Sequence, residues 1–228
     1  MRYESKYLSG IRPTGKLHLG NYIGAVLPAI KYNSNVLIAD LHAPFDDFKP
    51  LYAELQKYIS AERIQLQSSI FNSSIYFKLL EKTSTGLLQH MPQYKVKEKN
   101  AHMFTYPVLM AHDLVGYDYV IVGTDQKPHI EFANDILHRI GVDCPEPIYE
   151  GGKIMSFRNS SVKMSKSDEN SCLFLSDSLE IKTKKITKAI MDDAGRKNME
   201  FICTSLGGTI RESNSDLKYE VVRLCENL

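Results

Sequence analysis

The sequence predicts an α/β fold built around a parallel sheet. Short apolar runs, which are typical of buried strands, alternate along the chain with stretches that have the apolar spacing of helices. The 228 residues are 43% hydrophobic and 24% charged, which is the balance of an ordinary globular protein with its own core. No internal repeat or low-complexity tract interrupts the alternation.

Each element follows from a local pattern. Continuous apolar runs predict strands, and apolar residues three or four positions apart predict helices. Strands are expected at 7–8, 36–39, 66–68 and 119–122, and helices at 22–30, 51–59, 75–88 and 130–140. A last helix is expected over the stripe of Leu217, Val221, Leu224 and Leu228, with Ser213 as one possible N-cap.

Polar residues directly follow two of the predicted strands. Asp40 and His42 come after one strand, and Asp125 and Gln126 come after another. In open α/β sheets, ligands bind outside the carboxyl ends of the strands. The sequence therefore predicts a ligand site at this edge of the sheet.

The net charge of +1 gives no bulk argument for nucleic acid, so any contact with RNA has to come from local patches. Two lysine-rich stretches, 95–99 and 182–188, are candidates, and a solvated helix face is the alternative. The four cysteines lack metal-binding spacing, and no signal-like or membrane-length apolar segment is visible. These observations predict a cytoplasmic protein that holds no metal through its own side chains and contacts no membrane.

The first motif runs from Ser9 to Tyr22 and links a predicted strand to a helix. Gly20 would let a nucleotide approach the backbone, and His18 and Asn21 can donate hydrogen bonds to phosphate oxygens. Neither the GxGxxG nor the P-loop spacing is present. Taken alone, a strand, a glycine-containing loop and a helix also form a common structural element.

The second motif is Lys163-Met164-Ser165-Lys166-Ser167, in a polar stretch that follows two glycines. Two lysines separated by small residues suit a mobile clamp that neutralises charge on a departing diphosphate. An isolated pair of lysines in a loop is usually solvated surface. A five-residue motif far downstream of the first one is hard to obtain by accident.

These motifs resemble the HIGH and KMSKS signatures of the class I aminoacyl-tRNA synthetases, with Asn21 in place of the last histidine of HIGH. More narrowly, the chain is similar to the tryptophanyl members of the subclass that serves tryptophan and tyrosine. The resemblance extends from about Leu8 to Asp193 and includes the segments 39–43, 67–68, 93–95, 105–113, 122–129 and 153–156.

The resemblance implies roles for the matching residues. For the amino acid they are Gly10, His42, Tyr106, Met110, Asp113 and Gln126, with Asp113 accepting a hydrogen bond from the indole N–H. For ATP they are Arg12, Thr14, Gly20, Gly123, Asp125, Ile154, Met164 and Ser165, and for catalysis on the phosphates they are His18, Asn21, Lys95, Lys163 and Lys166. From the residues alone, simpler interpretations stay open: core packing for Tyr106 and Met110, a structural histidine at His42, solvated surface at Lys95, a helix cap or salt bridge at Asp113, and a strand-end turn at Asp125 and Gln126.

The implied reaction is activation of L-tryptophan by ATP with Mg²⁺, followed by transfer to tRNA(Trp), in a homodimer. The implied fold is a Rossmann-like nucleotide-binding sheet in a catalytic domain over 1–172, with a reduced C-terminal helical domain over 173–228. The helical domain is expected to be reduced because the segment after Ser167 is much shorter than is usual in the family, which puts anticodon recognition in doubt.

The chain departs from the family pattern at two positions, and other functions stay open. Arg12 stands where glutamine is frequent, and its role is undetermined; Leu8 stands where an aromatic residue is frequent, which predicts a looser indole pocket. The alternatives are a tyrosyl-tRNA synthetase-like enzyme and an adenylate-forming or tryptophan-sensing relative that does not charge tRNA. The intact His18, Lys163 and Lys166 favour catalysis over sensing.

Overall fold

A computed structural model describes residues 6–13, 15–43, 46–92, 100–166, 168–226 and 228. The chain forms two compact units, one from 1–15 and 28–150 and the other from 16–27 and 151–228. The boundaries of these units differ from those of the predicted domains, 1–172 and 173–228. The division into a catalytic and a helical domain stays a prediction.

The strands are β1 (Tyr7–Ile11), β2 (Asn35–Ile38), β3 (Ile64–Leu66), β4 (Tyr119–Val122) and β5 (Glu146–Tyr149). The α-helices described are α1 (Leu19–Asn21), α2 (Leu27–Lys31), α3 (Lys49–Leu55), α4 (Gln67–Ile70), α5 (Ser73–Lys82), α6 (Thr85–Gln89), α7 (Ala101–Asp113), α8 (Lys127–His138), α9 (Leu179–Thr187), α10 (Asp193–Ser205) and α11 (Asn214–Cys225). A π-helical stretch covers Tyr22–Val26, and 3₁₀ turns cover Asp40–His42, Ala61–Arg63 and Thr124–Gln126.

The first unit contains a five-stranded parallel sheet with the order β3-β2-β1-β4-β5. This confirms the predicted α/β, Rossmann-like fold. The chain order reverses between β1 and β4, and at such a reversal a crevice opens at the carboxyl ends of the strands. The predicted third strand is shifted: it ends at Leu66 because Gln67 begins α4.

Helices α5, α7 and α8 pack against one another in the first unit. The hydrophobic core combines strand and helix residues, among them Leu8, Leu37, Leu79, Val108, Val120 and Ile136. The single helix expected over 75–88 is wrong. Its break lies at 83–84, where the Ser84 hydroxyl accepts from the backbone N–H of Leu87 at 3.3 Å and so caps a new helix, α6.

The second unit is built from its N-terminal segment and three C-terminal helices. Backbone hydrogen bonds join Leu19 N to Leu173 O at 2.8 Å and Leu175 N to Leu17 O at 3.0 Å. Helices α9 and α10 both pack on α11. The predicted last helix is confirmed as α11, and the Ser213 hydroxyl accepts from the backbone N–H of Asp216 at 3.0 Å, as an N-cap does.

Candidate active site

The residues expected from the sequence fall into two groups, one in each unit. The first unit holds Gly10, Arg12, His42, Tyr106, Met110, Asp113, Gly123, Asp125 and Gln126. The second unit holds His18, Gly20, Asn21, Ile154, Lys163, Met164, Ser165 and Lys166. Thr14 and Lys95 lie outside the described residues, so their roles stay predictions.

Asp113 is a buried carboxylate at the end of helix α7, with 6% of its surface exposed. The negative end of a helix dipole disfavours an anion there, and burial adds a desolvation cost, so the carboxylate needs hydrogen-bond donors. Its Oδ2 accepts from Gln67 Nε2 at 2.6 Å and lies 3.3 Å from His42 Nε2. A buried polar cluster, and not a helix N-cap, therefore surrounds Asp113.

The other carboxylate oxygen of Asp113 keeps capacity to accept a hydrogen bond. Among the described residues, the contact recorded for Oδ1 is with His112 Nδ1 at 3.5 Å, which is long for a hydrogen bond. His112 Nε2 accepts from the backbone N–H of Asn72 at 3.0 Å, so the proton of the neutral ring lies on Nδ1. Oδ1 can therefore accept a stronger bond from a ligand.

Gln67 belongs to the cluster around Asp113, and the sequence analysis gave it no role. It is fully buried, and its Oε1 accepts from the backbone N–H of Leu41 at 3.0 Å while its Nε2 donates to Asp113. These two bonds fix the orientation of the amide. The signal that could have identified Gln67 is its position directly after β3, equivalent to that of the polar residues after β2 and β4.

Arg12, His42 and Tyr106 form the rest of this cluster. Arg12 Nη2 donates to the carbonyl oxygen of His42 at 3.1 Å, and the rings of His42 and Tyr106 lie 4.2 Å apart. Burial raises the pKa of Tyr106, and the positive charge of Arg12 partly opposes this shift. Two buried nitrogens, Arg12 Nε and His42 Nδ1, have no hydrogen-bond partner among the described residues, so each keeps unused hydrogen-bonding capacity.

The carboxyl end of β4 carries a second set of polar groups. Gln126 Nε2 donates to Asp125 Oδ2 at 3.1 Å, and Asp125 is exposed. A Cβ on Gly123 would lie 2.6 Å from Asp125 Oδ1, so glycine is needed to hold the carboxylate in this position. Burial lowers the pKa of the neighbouring His129, which keeps that ring neutral near pH 7.

Two other expected residues of the first unit, Gly10 and Met110, have no polar side chain. A Cβ on Gly10 would meet no atom within 4 Å, so open space lies beside β1. Met110 is half-buried and packs against the hydrophobic core. Met110 therefore contributes to the core, and its predicted contact with an indole ring stays a prediction.

In the second unit, His18 is the N-cap of α1 and is 8% exposed. Its Nδ1 accepts from the backbone N–H of Asn21 at 3.2 Å, and Asn21 Oδ1 accepts from the backbone N–H of His18 at 3.4 Å. A Cβ on Gly20 would lie 2.9 Å from His18 Cε1, so glycine makes room for the ring. Because Nδ1 accepts, a neutral His18 carries its proton on Nε2.

The charges of Lys163 and Lys166 act on His18. Burial first, and then the charges of Lys166 and Lys163, lower the pKa of His18 to about 4. His18 is therefore neutral at physiological pH and remains a hydrogen-bond donor through Nε2. Lys163 is exposed and Lys166 half-buried, so a cationic and donor-rich group forms within this unit.

A short hairpin places the lysine motif. Met164 N donates to Ile154 O at 2.8 Å, Ser156 N donates to Val162 O at 2.8 Å, and Met155 pairs with Lys163. Ile154 and Met164 are both buried and Ser165 is exposed. The side chain of Asn198 on α10 fixes the hairpin, since it accepts from Met155 N at 2.8 Å and donates to Met155 O at 3.1 Å.

Within the described ranges, no group of three or more His, Cys, Asp or Glu side chains is placed to hold a metal ion. The same part of the chain contains no helix that is both long and apolar enough to cross a membrane.

The parallel sheet, its order and the polar groups at its carboxyl edge define a Rossmann-like protein of the kind that binds nucleotides. Residues 2–215 match the family described as tRNA synthetases class I (W and Y). The chain belongs to this family.

The relatives of this chain include tryptophan–tRNA ligases. The chain is 33% identical over 227 residues to a tryptophan–tRNA ligase of Helicobacter pylori, covering 84% of this chain and 70% of that protein. It is 36% identical over 231 residues to a tryptophan–tRNA ligase of Prochlorococcus marinus, covering 84% and 68%. The homologous region is therefore most of this chain and about two thirds of those enzymes.

Solved structures agree on the fold. A tryptophanyl-tRNA synthetase from Mycoplasma pneumoniae superposes with a TM-score of 0.81 at 28% identity, covering 97% of this chain and 84% of the other. A tyrosyl-tRNA synthetase from Pyrococcus horikoshii superposes with a TM-score of 0.78 at 16% identity, covering 97% and 85%. At that lower identity the second likeness supports the fold alone.

Proposed function

We propose that this chain is a tryptophan–tRNA ligase. It would activate L-tryptophan with ATP to tryptophanyl-adenylate, transfer the aminoacyl group to tRNA(Trp), and release AMP and diphosphate. The observation that carries the proposal is the neutral, donor-ready His18 beside the charges of Lys163 and Lys166, in a member of this family. The similarity of this chain to the tryptophan–tRNA ligases of Helicobacter pylori and Prochlorococcus marinus supports tryptophan, and not tyrosine, as its substrate.

Asp113 would select the amino acid. Its Oδ1 would accept the indole N–H, while Gln67 and His42 hold the carboxylate in place through Oδ2. A site built around such a buried acceptor rejects a ligand that lacks the donor by about 10⁴–10⁵, because the carboxylate is then left unpaired. A phenol can also donate, so this argument is weaker against tyrosine than against phenylalanine.

The remaining polar groups of the first unit would orient the backbone atoms of the amino acid and the ribose. Tyr106 and Gln126 would hold the ammonium and carboxylate groups, with the unpaired His42 Nδ1 nearby. Asp125 and Gly123 would meet the ribose. Arg12 has a free Nε, and its charge suits a carboxylate or phosphate oxygen.

The second unit would act on the phosphates. His18 Nε2 and the amide nitrogen of Asn21 would donate to phosphate oxygens, and Lys163 and Lys166 would balance the charge that develops on the diphosphate. Lys95 and Thr14 would add to this set. Mg²⁺ would enter with ATP, since a hard cation prefers phosphate oxygens.

The chemistry needs no nucleophile from the protein. The carboxylate of the amino acid attacks the α-phosphorus, a new P–O bond forms, and the bond to the diphosphate oxygen breaks. The protein would contribute positioning and electrostatic stabilisation of the five-coordinate phosphorus. A terminal hydroxyl of the tRNA would then take the aminoacyl group and release AMP, in the cytoplasm and in a homodimer.

ATP–diphosphate exchange that depends on the amino acid tests the proposal without tRNA. We expect exchange with tryptophan and little with tyrosine or phenylalanine. Exchange with none of them would overturn the proposal that the chain is an enzyme. Exchange with tyrosine alone would identify tyrosine as the substrate. Charging of tRNA(Trp) then separates a ligase from a relative that only forms the adenylate.

One substitution of His18 makes the test specific to the phosphate site. His18→Asn retains an acceptor for the N-cap bond and loses the Nε2 donor, so the variant should fold while its exchange rate falls. A lost hydrogen bond to a charged oxygen, about 1.5–3 kcal/mol, corresponds to roughly 10- to 150-fold. Full exchange by a folded His18→Asn protein would show that His18 does not meet the phosphates.

A further inference from the structure

A basic cleft lies on the surface of the second unit, apart from the residues assigned to ATP. It has a volume of about 140 Å³, and its lining consists of Arg158, Asn170, Ile181, Lys184, Lys185 and Lys188. Among the described residues that line it, none is acidic. Pockets for nucleotides and other small ligands usually measure roughly 300–1,000 Å³, so this cleft suits single phosphate groups on a larger partner.

The period of helix α9 sorts the lysine-rich stretch 182–188 into two groups. Ile181, Lys184, Lys185 and Lys188 follow the spacing of one helix face and all line the cleft. Lys182 lies off this face and is buried, where its Nζ donates to the carbonyl oxygen of Cys225 at 3.2 Å. Lys182 thus has a structural role, and the solvated-face interpretation does not fit it.

The cations of the cleft differ in how far their charge is already compensated. Lys185 is half-buried, and its Nζ contacts Asp177 Oδ2 at 2.7 Å and Cys172 O at 2.7 Å. Lys184 and Lys188 are exposed, and neither forms an ion pair with another described residue. Arg158 is also exposed and acts on Asp168 only weakly, since the lowered pKa of Asp168 comes first from a hydrogen bond with Ser171.

The helix dipole gives a partial alternative explanation. Cations near the last turn of a helix stabilise it through the helix dipole, which accounts for Lys184 and Lys188. It does not account for Arg158, which lies in the hairpin between Ile154 and Met164 and lines the same cleft. The convergence of cations from two parts of the chain favours an anionic ligand.

We propose that this cleft binds the sugar–phosphate backbone of tRNA. The proposal rests on the proposed function and adds a docking surface for its second substrate. Lys184 and Lys188 lie one helical turn apart, roughly 6 Å along the axis, a spacing that lets them contact neighbouring phosphates. The exposed Ile181 offers an apolar contact for a ribose, and a nearly neutral chain needs such a local patch to bind RNA.

The test uses Lys184→Gln/Lys188→Gln, with Arg158→Gln as a second variant from another segment. The matched control is Lys57→Gln/Lys197→Gln, which removes two exposed lysines elsewhere. We expect both cleft variants to keep the wild-type rate of tryptophan-dependent exchange and its KM for ATP. The KM for a tRNA(Trp) transcript in charging should rise about tenfold for the double variant, and not for the control.

Direct binding of the labelled transcript at several salt concentrations gives a readout that a structural role would not change. The slope of log affinity against log salt should become shallower by about 0.7–0.9 for each phosphate contact removed. Unchanged tRNA affinity and slope, with exchange intact, would overturn the cleft proposal alone. A raised KM for ATP would also overturn it, by assigning the cleft to the nucleotide, whereas absence of exchange in the wild type would overturn the proposed function instead.

Discussion

The protonation of His18 gives a quantitative prediction. Its pKa lies at about 4, against an ordinary value of 6.5. Because the folded-state pKa lies below the unfolded value, the neutral ring's contribution to stability is complete above pH 6.5 and is lost as the pH falls towards 4. The full shift corresponds to about 3 kcal/mol, of which about 2 kcal/mol is lost between pH 7 and pH 5.

Proton NMR titration of the histidine ring signals measures this pKa directly, and His18→Asn assigns the signal by removing it. Lys163→Ala and Lys166→Ala should each raise the pKa of His18, because both charges lower it. Lys197→Ala serves as a control from the same unit and should leave the pKa unchanged. Urea unfolding at the two pH values should show that His18→Asn loses about 2 kcal/mol less than the wild type.

A measured pKa near 6.5 would refute the reasoning, since it would mean that the ring is solvated and distant from the lysine motif. If the pKa of His18 is low and neither lysine variant changes it, burial alone lowers the pKa, and the charges of Lys163 and Lys166 do not act on His18. That second result would also weaken the assignment of Lys163 and Lys166 to the same phosphate group as His18.

Substitutions at three further residues test particular contacts. Gly123→Ala places a methyl group 2.6 Å from Asp125 Oδ1, so the exposed carboxylate should move away. The KM for ATP in exchange should rise about tenfold with little change in Tm. An unchanged KM would contradict the proposed contact between Asp125 and the ribose. Asn198→Ala removes both hydrogen bonds to Met155 and should lower the free energy of unfolding, measured in urea, by about 1–3 kcal/mol. An unchanged free energy of unfolding would mean that water replaces the two bonds. Ser213→Ala should cost about 1 kcal/mol in the same measurement, while Ser213→Thr, which keeps a hydroxyl to accept from Asp216 N and donate to Asp216 Oδ2, should retain most of the wild-type value.

Most of the central sheet could be predicted because its strands are short apolar runs. The strand at 35–38 is buried at every position and the strand at 119–122 has no exposed position, so the hydrophobic signal is continuous. Strand β5 was not predicted, because it lies at the sheet edge, contains Pro147 and has no buried residue. Helix α7 was not predicted either, since Pro107 inside it suppresses the local helical signal and tertiary packing has to overcome that.

The candidate site shows the same division between local and long-range information. The two hydrogen bonds between His18, the N-cap of α1, and Asn21 lie within one short motif, and both residues could be identified from the sequence. The bond from Gln67 to Asp113 joins residues 46 positions apart, and no local pattern reports it. Such partners become visible only when the strand order is known, because the sheet brings their loops to one edge.

The Asn198 amide has a consequence for how the hairpin around Met155 meets other chains. Met155 and Lys163 lie opposite each other in the hairpin, whose backbone hydrogen bonds join Met164 N to Ile154 O and Ser156 N to Val162 O. Met155 and Lys163 are therefore a non-hydrogen-bonded pair, and the backbone groups of Met155 point out of the hairpin. The outward N–H and C=O of Met155 are both taken by one side-chain amide, which supplies the donor and acceptor that a third strand would supply. This protects the hairpin edge against strand addition and aggregation, using one residue instead of a further segment of chain.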